Sequence, residues 1–213
     1  MRWSNHGWSV GYNFTVYLVS RHPGTYHMYR NKVRIVSGQW KRRLISFPDH
    51  QGLRPSPDRV RETLFNWLGQ DLTGWRCLDL FAGSGALGFE AASRHASRVV
   101  MVELARPVVQ ALKENVSLLG AKSIEVVNAD AQRYLASAHE QFDLVLLDPP
   151  FGSELLATVL PAVAGRVVPN GYIYVETADV PSLPVGWDIY RQGCAGKVNY
   201  LLLRAGSSDK SDT

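Results

Sequence analysis

Carboxylates follow three short apolar runs of the sequence, at positions from which they could bind one small cationic molecule. Asp79 follows the first run, Glu103 the second and Asp130 the third. In open parallel sheets, ligands bind at the carboxyl edge, where the ends of such strands meet. A carboxylate can hold an ammonium group or accept hydrogen bonds from ribose hydroxyls. The acids therefore indicate a nucleoside-like ligand that carries positive charge, and Asp130 offers an acceptor for an adenine amino group.

A glycine-rich loop begins at Asp79 and reads DLFAGSG over residues 79–85. Glycine lets the backbone approach a nucleotide closely, so both S-adenosylmethionine and dinucleotides suit the loop. Gly83, Gly85 and Gly88 also satisfy the pattern G-x-G-x-x-G, which keeps an NAD-dependent oxidoreductase open as an alternative. Asp79 separates the two, because it would repel a pyrophosphate but pair with the ammonium group of S-adenosylmethionine. We therefore predict S-adenosylmethionine as the cofactor.

The tetrapeptide Asp148, Pro149, Pro150 and Phe151 is the most discriminating motif. Its two prolines remove two backbone donors and stiffen the chain, so that carboxylate and carbonyl oxygens can form a fixed array of acceptors. Such an array suits the amino group of a nucleobase, because it orients the nitrogen lone pair toward a methyl donor. Phe151 could stack on the base, and Asp148 could stabilise the positive charge that grows on the nitrogen. Either Asp148 or water could take the departing proton.

The elements that must position these residues alternate after Gly74 between short apolar runs and helical segments, which predicts βαβ units and a parallel sheet. We predict strands over residues 76–80, 98–102, 123–127, 142–147 and 171–176. Helices are predicted over residues 86–94, 106–119, 131–136 and 154–163. Residues 187–194 and 197–204 predict two antiparallel strands that close the sheet.

The front of the chain is cationic, since residues 1–61 contain 11 Lys or Arg against 2 acids. A basic face of this kind favours a polyanion such as nucleic acid, although an anionic membrane surface would also attract it. Residues 32–47 alternate polar and apolar around a Ser37-Gly38 turn, which predicts a β-hairpin. Seven basic residues are predicted to contact RNA: Arg34, Lys41, Arg42, Arg43, Arg54, Arg59 and Arg61. Two alternatives stay open, since the first four could form a solvated face of the hairpin and the last three could pair locally with Asp58 or Glu62.

A helix is predicted to start at Ser56-Pro57-Asp58, where Ser56 supplies a cap and the proline occupies the first helical position. Its apolar residues, including Val60 and Leu64, fall on one face. Arg59 and Arg61 lie off that stripe and are expected to face solvent or ligand.

The remaining composition restricts the class of protein. Two cysteines without ligand spacing predict neither disulfides nor a metal site, and no apolar run approaches the roughly 18 to 20 residues that span a bilayer. We expect a soluble, cytoplasmic monomer. The predicted organisation is a poorly defined extension over residues 1–31, with Met28 as a candidate start, an RNA-facing hairpin and helix over 32–73, a cofactor-binding domain over 74–205, and a disordered tail over 206–213.

Five runs of the sequence, residues 33–40, 52–55, 58–68, 78–88 and 148–151, resemble the bacterial 16S rRNA (guanine-N2)-methyltransferase family. The resemblance covers about residues 33–204, and Ser37 departs from it because the family commonly has glycine there. It implies a Rossmann-like class I methyltransferase, with a doubly wound, seven-stranded, mostly parallel α/β sheet, an antiparallel C-terminal strand and a small N-terminal β-hairpin. It further implies methylation of a guanine N2 amino group in 16S rRNA, presented as rRNA or as a small-subunit particle.

Carried over to this sequence, the resemblance assigns a catalytic role to residues 148–151. It assigns cofactor contacts to the following residues: Asp79, Phe81, Ala82, Gly83, Ser84, Gly85, Glu103, Asp130 and Ala131. Methylation of adenine N6 or of a protein glutamine stays open, although such enzymes more often have Asn in place of Asp148 and Tyr in place of Phe151. A non-catalytic RNA-binding module is a further alternative, which the complete set of acids at strand ends disfavours.

Overall fold

The computed structural model describes residues 31–50, 52–150 and 153–205. Its elements in chain order are β1 (Asn31–Arg34), β2 (Leu44–Phe47), α1 (Asp58–Trp67), β3 (Arg76–Asp79), α2 (Ala86–Ser93), β4 (Arg98–Glu103), α3 (Arg106–Leu119), β5 (Ile124–Asn128), α4 (Ala131–Ser137), β6 (Phe142–Leu147), α5 (Leu155–Ala164), β7 (Val167–Thr177), β8 (Trp187–Ala195) and β9 (Val198–Ala205). The expectations for the N-terminal extension, Met28, Phe151 and the C-terminal tail lie outside the described residues.

A seven-stranded sheet in the order β5-β4-β3-β6-β7-β9-β8 forms the centre of the molecule. The strands from β5 to β7 are parallel, and β9 runs antiparallel between β7 and β8. The predicted doubly wound, mostly parallel sheet with an antiparallel C-terminal strand is therefore confirmed. The order of connection reverses between β3 and β6, which is where open α/β sheets bind their ligands.

Apolar residues cover both faces of the central strands, as expected when helices pack on both sides of a parallel sheet. Cys77, Met101 and Leu144 belong to the core on the side of α1, α2 and α3. Leu78, Val100 and Val145 belong to the core on the side of α4 and α5. This alternation along each strand explains why the apolar runs located the strands from sequence alone.

The predicted bounds of helices α2 to α5 differ from the observed ones by at most one residue. The largest difference among the strands is in β7, which begins at Val167 rather than at Gly171. Val167 pairs with Phe142 ahead of an irregularity in the register, and Asn170 within it has a φ of +66°. Because Pro169-Asn170-Gly171 is typical of a turn, the sequence did not predict that the strand begins before it.

The N-terminal hairpin differs from the prediction in its connection. β1 and β2 pair as an antiparallel ladder, but the chain between them runs through residues 35–43 instead of a tight turn at Ser37-Gly38. This connection packs on α2, where the backbone N–H of Gln39 donates to the carbonyl of Ser93. A Cβ at Gly38 would lie 1.9 Å from the Ser93 carbonyl oxygen, so the glycine serves a tertiary contact.

Two predictions for α1 are wrong. Pro57 rather than Ser56 is the N-terminal cap position, and the Ser56 hydroxyl donates instead to Glu176. Arg61 is only 1% exposed, because it forms ion pairs with Glu90 and Asp58 and donates to the carbonyl of Arg34. Its guanidinium therefore joins the hairpin to α1 and α2 and does not face an RNA.

No helix in the described part of the chain is long and apolar enough to cross a membrane.

Candidate cofactor and substrate cleft

A cavity of about 550 Å³ lies at the carboxyl ends of β3, β4 and β6. The residues that follow β5 also line it. Asp79, Glu103, Asp130 and Asp148 all line it. Of the other residues predicted for cofactor or catalysis, seven line it as well: Phe81, Ala82, Gly83, Ser84, Ala131, Pro149 and Pro150. The acids that were noted separately in the sequence thus meet in one cleft.

Gly85 is the predicted cofactor residue that does not line the cavity. It is the N-terminal cap of α2, with a φ of +80°, and a Cβ there would lie 2.7 Å from Leu112 and Phe89. The positive φ and the close packing therefore explain why residue 85 is a glycine. A direct contact of Gly85 with the cofactor stays a prediction.

Backbone groups hold the Glu103 carboxylate in place. The N–H of Gly83 donates to Oε2 over 3.0 Å, and the N–H of Ala105 donates to Oε1 over 2.7 Å. Each carboxylate oxygen has about two acceptor positions, so both oxygens can accept a further hydrogen bond. Glu103 is therefore held in one orientation at the wall of the cleft, with acceptor positions left for a ligand.

Asp79 is a buried acid at the inner end of the cleft, with 1% exposure. Burial raises its pKa to about 7, and the neighbouring Glu103 and Glu176 add to the effect, whereas the N–H of Gly88 donates to Oδ2 and opposes it. Among the described residues, no cation forms an ion pair with Asp79. A buried carboxyl in this state has an affinity for a cationic ligand.

Asp130 caps α4, because its Oδ1 accepts from the backbone N–H groups of Gln132 and Arg133. Asp130 therefore has a structural role as the N-terminal cap of α4, which does not exclude contact with a ligand. Oδ2 takes no part in the cap and remains available to a ligand in the cleft.

Asp148 follows β6 and is half-buried at the wall of the cleft. Burial raises its pKa to about 8, with additional contributions from the negative charges of Glu176 and Asp79. Pro149 and Pro150 form a corner of the chain after β6, which we call the diproline corner. Pro149 is buried against the protein, and Pro150 is exposed. Phe151 lies outside the described residues, and its stacking role stays a prediction.

Glu176 is a buried acid that the sequence analysis did not single out. It lies near the end of β7, next to β6, and its Oε1 accepts from the Ser56 hydroxyl over 2.6 Å and from the Tyr174 hydroxyl over 3.0 Å. Burial raises its pKa, while Ser56 and Tyr174 oppose that rise. The signal was present in the sequence, because Glu176 is an acid at the end of a predicted strand, as Asp79 is.

A second cavity of about 160 Å³ adjoins the large one at the diproline corner. Pro149 and Pro150 line both cavities, Asp148 lines only the larger one and Glu176 only the smaller one. The two acids therefore line adjoining cavities that share the diproline corner. Within the described ranges, no cluster of His, Cys, Asp and Glu could hold a metal ion.

Apart from the buried Arg61, the basic residues predicted to bind RNA divide into three groups. Arg54 is exposed and lines the large cavity, and Arg59 is exposed on α1. Arg34 is 58% exposed and pairs with Asp58 over 2.6 Å. The remaining three, Lys41, Arg42 and Arg43, are exposed on the connection between β1 and β2.

That connection docks on Ser93, at the end of α2 that points away from the cleft. The eight residues of α2 span about 12 Å, so Lys41, Arg42 and Arg43 lie further from the cleft than the sequence suggested. They could contact an RNA only beyond the target nucleotide.

The acceptor set fits S-adenosylmethionine. Its amino-acid end offers an ammonium group for Asp79, its ribose suits Glu103, and its adenine amino group suits Oδ2 of Asp130. The doubly wound sheet with its antiparallel β9 and this acid-lined cleft together define a class I, S-adenosylmethionine-dependent methyltransferase.

The chain belongs to the family described as "Conserved hypothetical protein 95", which matches residues 33–204. It is homologous to ribosomal RNA small subunit methyltransferase D of Escherichia coli (strain K12), with 40% identity over 191 residues that cover 87% of this chain and 96% of the relative. The protein of the same name from Haemophilus influenzae is 41% identical and covers 81% of this chain and 94% of its own length.

Solved structures agree with the fold. The yhhF protein from Escherichia coli superposes with a TM-score of 0.77 at 40% identity, covering 84% of this chain and all (100%) of that one. An RNA methyltransferase from Salinibacter ruber, solved with S-adenosyl-L-homocysteine, shares the fold with a TM-score of 0.57 at 18% identity and covers 75% of this chain and 98% of its own.

Proposed function

We propose that this protein transfers a methyl group from S-adenosylmethionine to the N2 amino group of one guanine in 16S rRNA. The observation that carries the proposal is the position of the Asp148 carboxyl at the wall of the cofactor cleft, beside a diproline corner that also lines a second cavity. The names of the relatives, which specify a methyltransferase of small-subunit ribosomal RNA, support rRNA as the acceptor.

Three acids would bind the cofactor, which supplies a methyl group on a positively charged sulfur. Asp79 pairs with the ammonium group, Glu103 accepts from the ribose hydroxyls and Asp130 accepts from the adenine amino group. The hydrogen bonds from Gly83 and Ala105 keep the Glu103 carboxylate oriented before the ligand arrives. Most of the rate enhancement would come from alignment of the two bound reactants, which can contribute about 7 to 11 kcal/mol.

Asp148 would act on the acceptor amine. Its carboxylate accepts an N–H of the amino group and orients the nitrogen lone pair toward the methyl carbon. Bound S-adenosylmethionine would supply the methyl group and leave as a neutral thioether, and the Asp148 carboxylate would stabilise the positive charge that develops on the acceptor nitrogen. The nitrogen then loses one proton, either to Asp148 or to water.

Exposed basic residues would hold the RNA backbone around the cleft. Arg54 lies at the cavity itself, and Arg34 and Arg59 flank the start of α1. Contacts of this kind position the RNA without reading its sequence. A target guanine in a loop could enter the cleft at an unstacking cost of only a few kcal/mol.

The proposal is tested with small-subunit particles and rRNA from a bacterial strain that lacks the corresponding methyltransferase. Digestion and mass spectrometry of the product should identify N2-methylguanosine at a single position. Asp148→Ala should lower kcat by about 100- to 1000-fold and leave the affinity for S-adenosylmethionine within a few-fold.

Asp188→Ala is the matched control, because Asp188 is an exposed acid on β8, and it should keep wild-type activity. Methylated adenosine, or transfer to protein alone, would contradict the guanine assignment. Wild-type turnover of the folded Asp148→Ala variant would contradict the role of Asp148.

A further inference from the structure

Glu176 and Asp148 lie side by side at the carboxyl edge of the sheet. Leu147 pairs with Val175 in the parallel ladder between β6 and β7, so the next residues, Asp148 and Glu176, follow at the same level. Neighbouring strands are about 4.8 Å apart, and side chains at equivalent positions project to the same face. The two carboxyls are close enough for the charge of Glu176 to raise the pKa of Asp148.

The hydrogen bonds of Glu176 are concentrated on one of its two oxygens. Ser56 and Tyr174 both donate to Oε1, and no described residue donates to Oε2. Glu176 also contributes to the wall of the 160 Å³ cavity. Among the described residues, Oε1 is therefore occupied by two donors, and Oε2 is the oxygen that we assign to the cavity.

The donors and acceptors of guanine match such a pair of carboxylates. Its N1–H and N2–H₂ groups form a row of donors on one edge, whereas adenine and 2-aminopurine have an acceptor at N1 beside their amino group. A carboxylate oxygen accepts from N1–H but repels an unprotonated ring nitrogen.

We propose that Glu176 accepts the N1–H of the target guanine through Oε2, while Asp148 accepts from the adjacent N2 amino group. This inference rests on the proposed function and adds a residue that selects the base. Glu176 is thereby a specificity-determining residue, and Ser56 and Tyr174 are positioning residues that fix which of its oxygens faces the base.

The fixed orientation makes Glu176→Gln an informative change. The amide oxygen of glutamine should take the place of Oε1, because Ser56 and Tyr174 both need an acceptor there. The amide NH₂ then occupies the place of Oε2 and presents a donor to the cavity. The variant should therefore disfavour the N1–H of guanine and favour a base with an acceptor at N1.

The experiment compares two acceptors in reconstituted small-subunit particles. One carries the natural target guanine, and the other carries 2-aminopurine at that position, which keeps the 2-amino group but has an acceptor at N1. For the wild type, kcat/KM should be about 10- to 100-fold lower with 2-aminopurine. For Glu176→Gln, kcat/KM should fall by a similar factor with guanine, and the preference for guanine over 2-aminopurine should disappear or reverse.

Glu125→Gln is the matched control, since it makes the same chemical change in an exposed residue of β5 and should keep the wild-type preference. Thermal unfolding and S-adenosylmethionine titration verify that Glu176→Gln is folded and binds cofactor. If the wild type uses both bases equally, or if the folded Glu176→Gln variant keeps the preference for guanine, the inference is overturned. If the wild type does not methylate guanine N2 at all, the proposed function itself has failed.

Discussion

Two groups of buried charged residues in this protein have opposite electrostatic character. Arg61, Glu90 and Arg94 form a group in which the Glu90 carboxylate, fully buried, is paired with both arginines. Asp79, Asp148 and Glu176 form a group of acids. Burial raises the pKa of all three, and the negative charge of Glu176 raises the pKa of Asp79 and of Asp148 further. The first group is complete without a ligand, whereas the second needs a cation or a set of donors.

The difference explains what each group does. Glu90 accepts from the backbone N–H groups of Val36 and Ser37 as well as from the two arginines, so it fastens the hairpin to the body of the protein. The acids of the cleft have few internal donors, and their ionised forms are costly until a ligand supplies the missing partners. We therefore expect substitutions in the first group to affect stability and those in the second to affect binding.

The largest effect is expected from Glu90→Gln. The substitution leaves Arg61 and Arg94 buried without their shared counter-charge, which should lower the free energy of unfolding by about 3 to 5 kcal/mol. Chemical denaturation followed by circular dichroism measures it. Glu125→Gln is the control, because its ion pair with Arg98 is exposed and should contribute less than about 1 kcal/mol. Equal effects of the two substitutions would contradict the structural role of the first group.

Asp79→Asn should weaken cofactor binding without lowering the stability of the cofactor-free protein. The dissociation constant for S-adenosylmethionine should rise by about 10- to 100-fold, because the ammonium group loses a charged partner. The cofactor-free protein at about pH 8 should be at least as stable as the wild type, since a neutral amide replaces a carboxyl whose ionisation is opposed by burial. Calorimetric titration and denaturation measure the two effects. If Asp79→Asn is less stable than the wild type and binds S-adenosylmethionine with unchanged affinity, Asp79 has a structural role like that of Glu90, and the prediction is wrong.

Acidification should weaken cofactor binding. Burial raises the pKa of Asp79 to about 7, so Asp79 becomes protonated between about pH 8 and about pH 6 and loses its attraction for the ammonium group of the cofactor. The affinity should decrease by up to about tenfold per pH unit for each proton that binding displaces. Calorimetry in buffers of different ionisation enthalpy should detect proton release on binding. A flat profile for the wild type would contradict this prediction, and Asp79→Asn should have a shallower one.

Asp79 and Asp148 should act in the opposite sense on the stability of the cofactor-free protein. Their pKa is higher in the folded than in the unfolded state, so the folded protein binds more protons between about pH 4 and pH 8. Their contribution to the free energy of unfolding therefore decreases as the pH rises through that interval. The stability difference between Asp79→Asn and the wild type should grow over the same interval, and denaturation at several pH values would show it.

The sequence predicted the central sheet and four acids of the cleft because both depend on local signals. Apolar runs locate the strands, and the residue after each run lies at the ligand-binding edge. Glu176 also ends a predicted strand, but its position beside Asp148 depends on the adjacency of β6 and β7, which the sequence does not state. Arg61 was misjudged because its partner Glu90 is 29 residues away and meets it only after folding. The long connection of the hairpin likewise depends on its docking against Ser93.

The smallest effect is expected at the exposed basic residues, and it sharpens the contrast between Arg61 and its neighbours. Arg42 is exposed on the β1–β2 connection, so Arg42→Ala should weaken rRNA binding only a few-fold and reduce the slope of log affinity against log salt by about 1. The free energy of unfolding should stay within about 0.5 kcal/mol of the wild type. Filter binding at several salt concentrations measures the slope, with Lys122→Ala as the control because Lys122 is exposed ahead of β5. An unchanged slope would place the RNA elsewhere and leave only the basic residues nearer the cleft, such as Arg54, as candidates for phosphate contact.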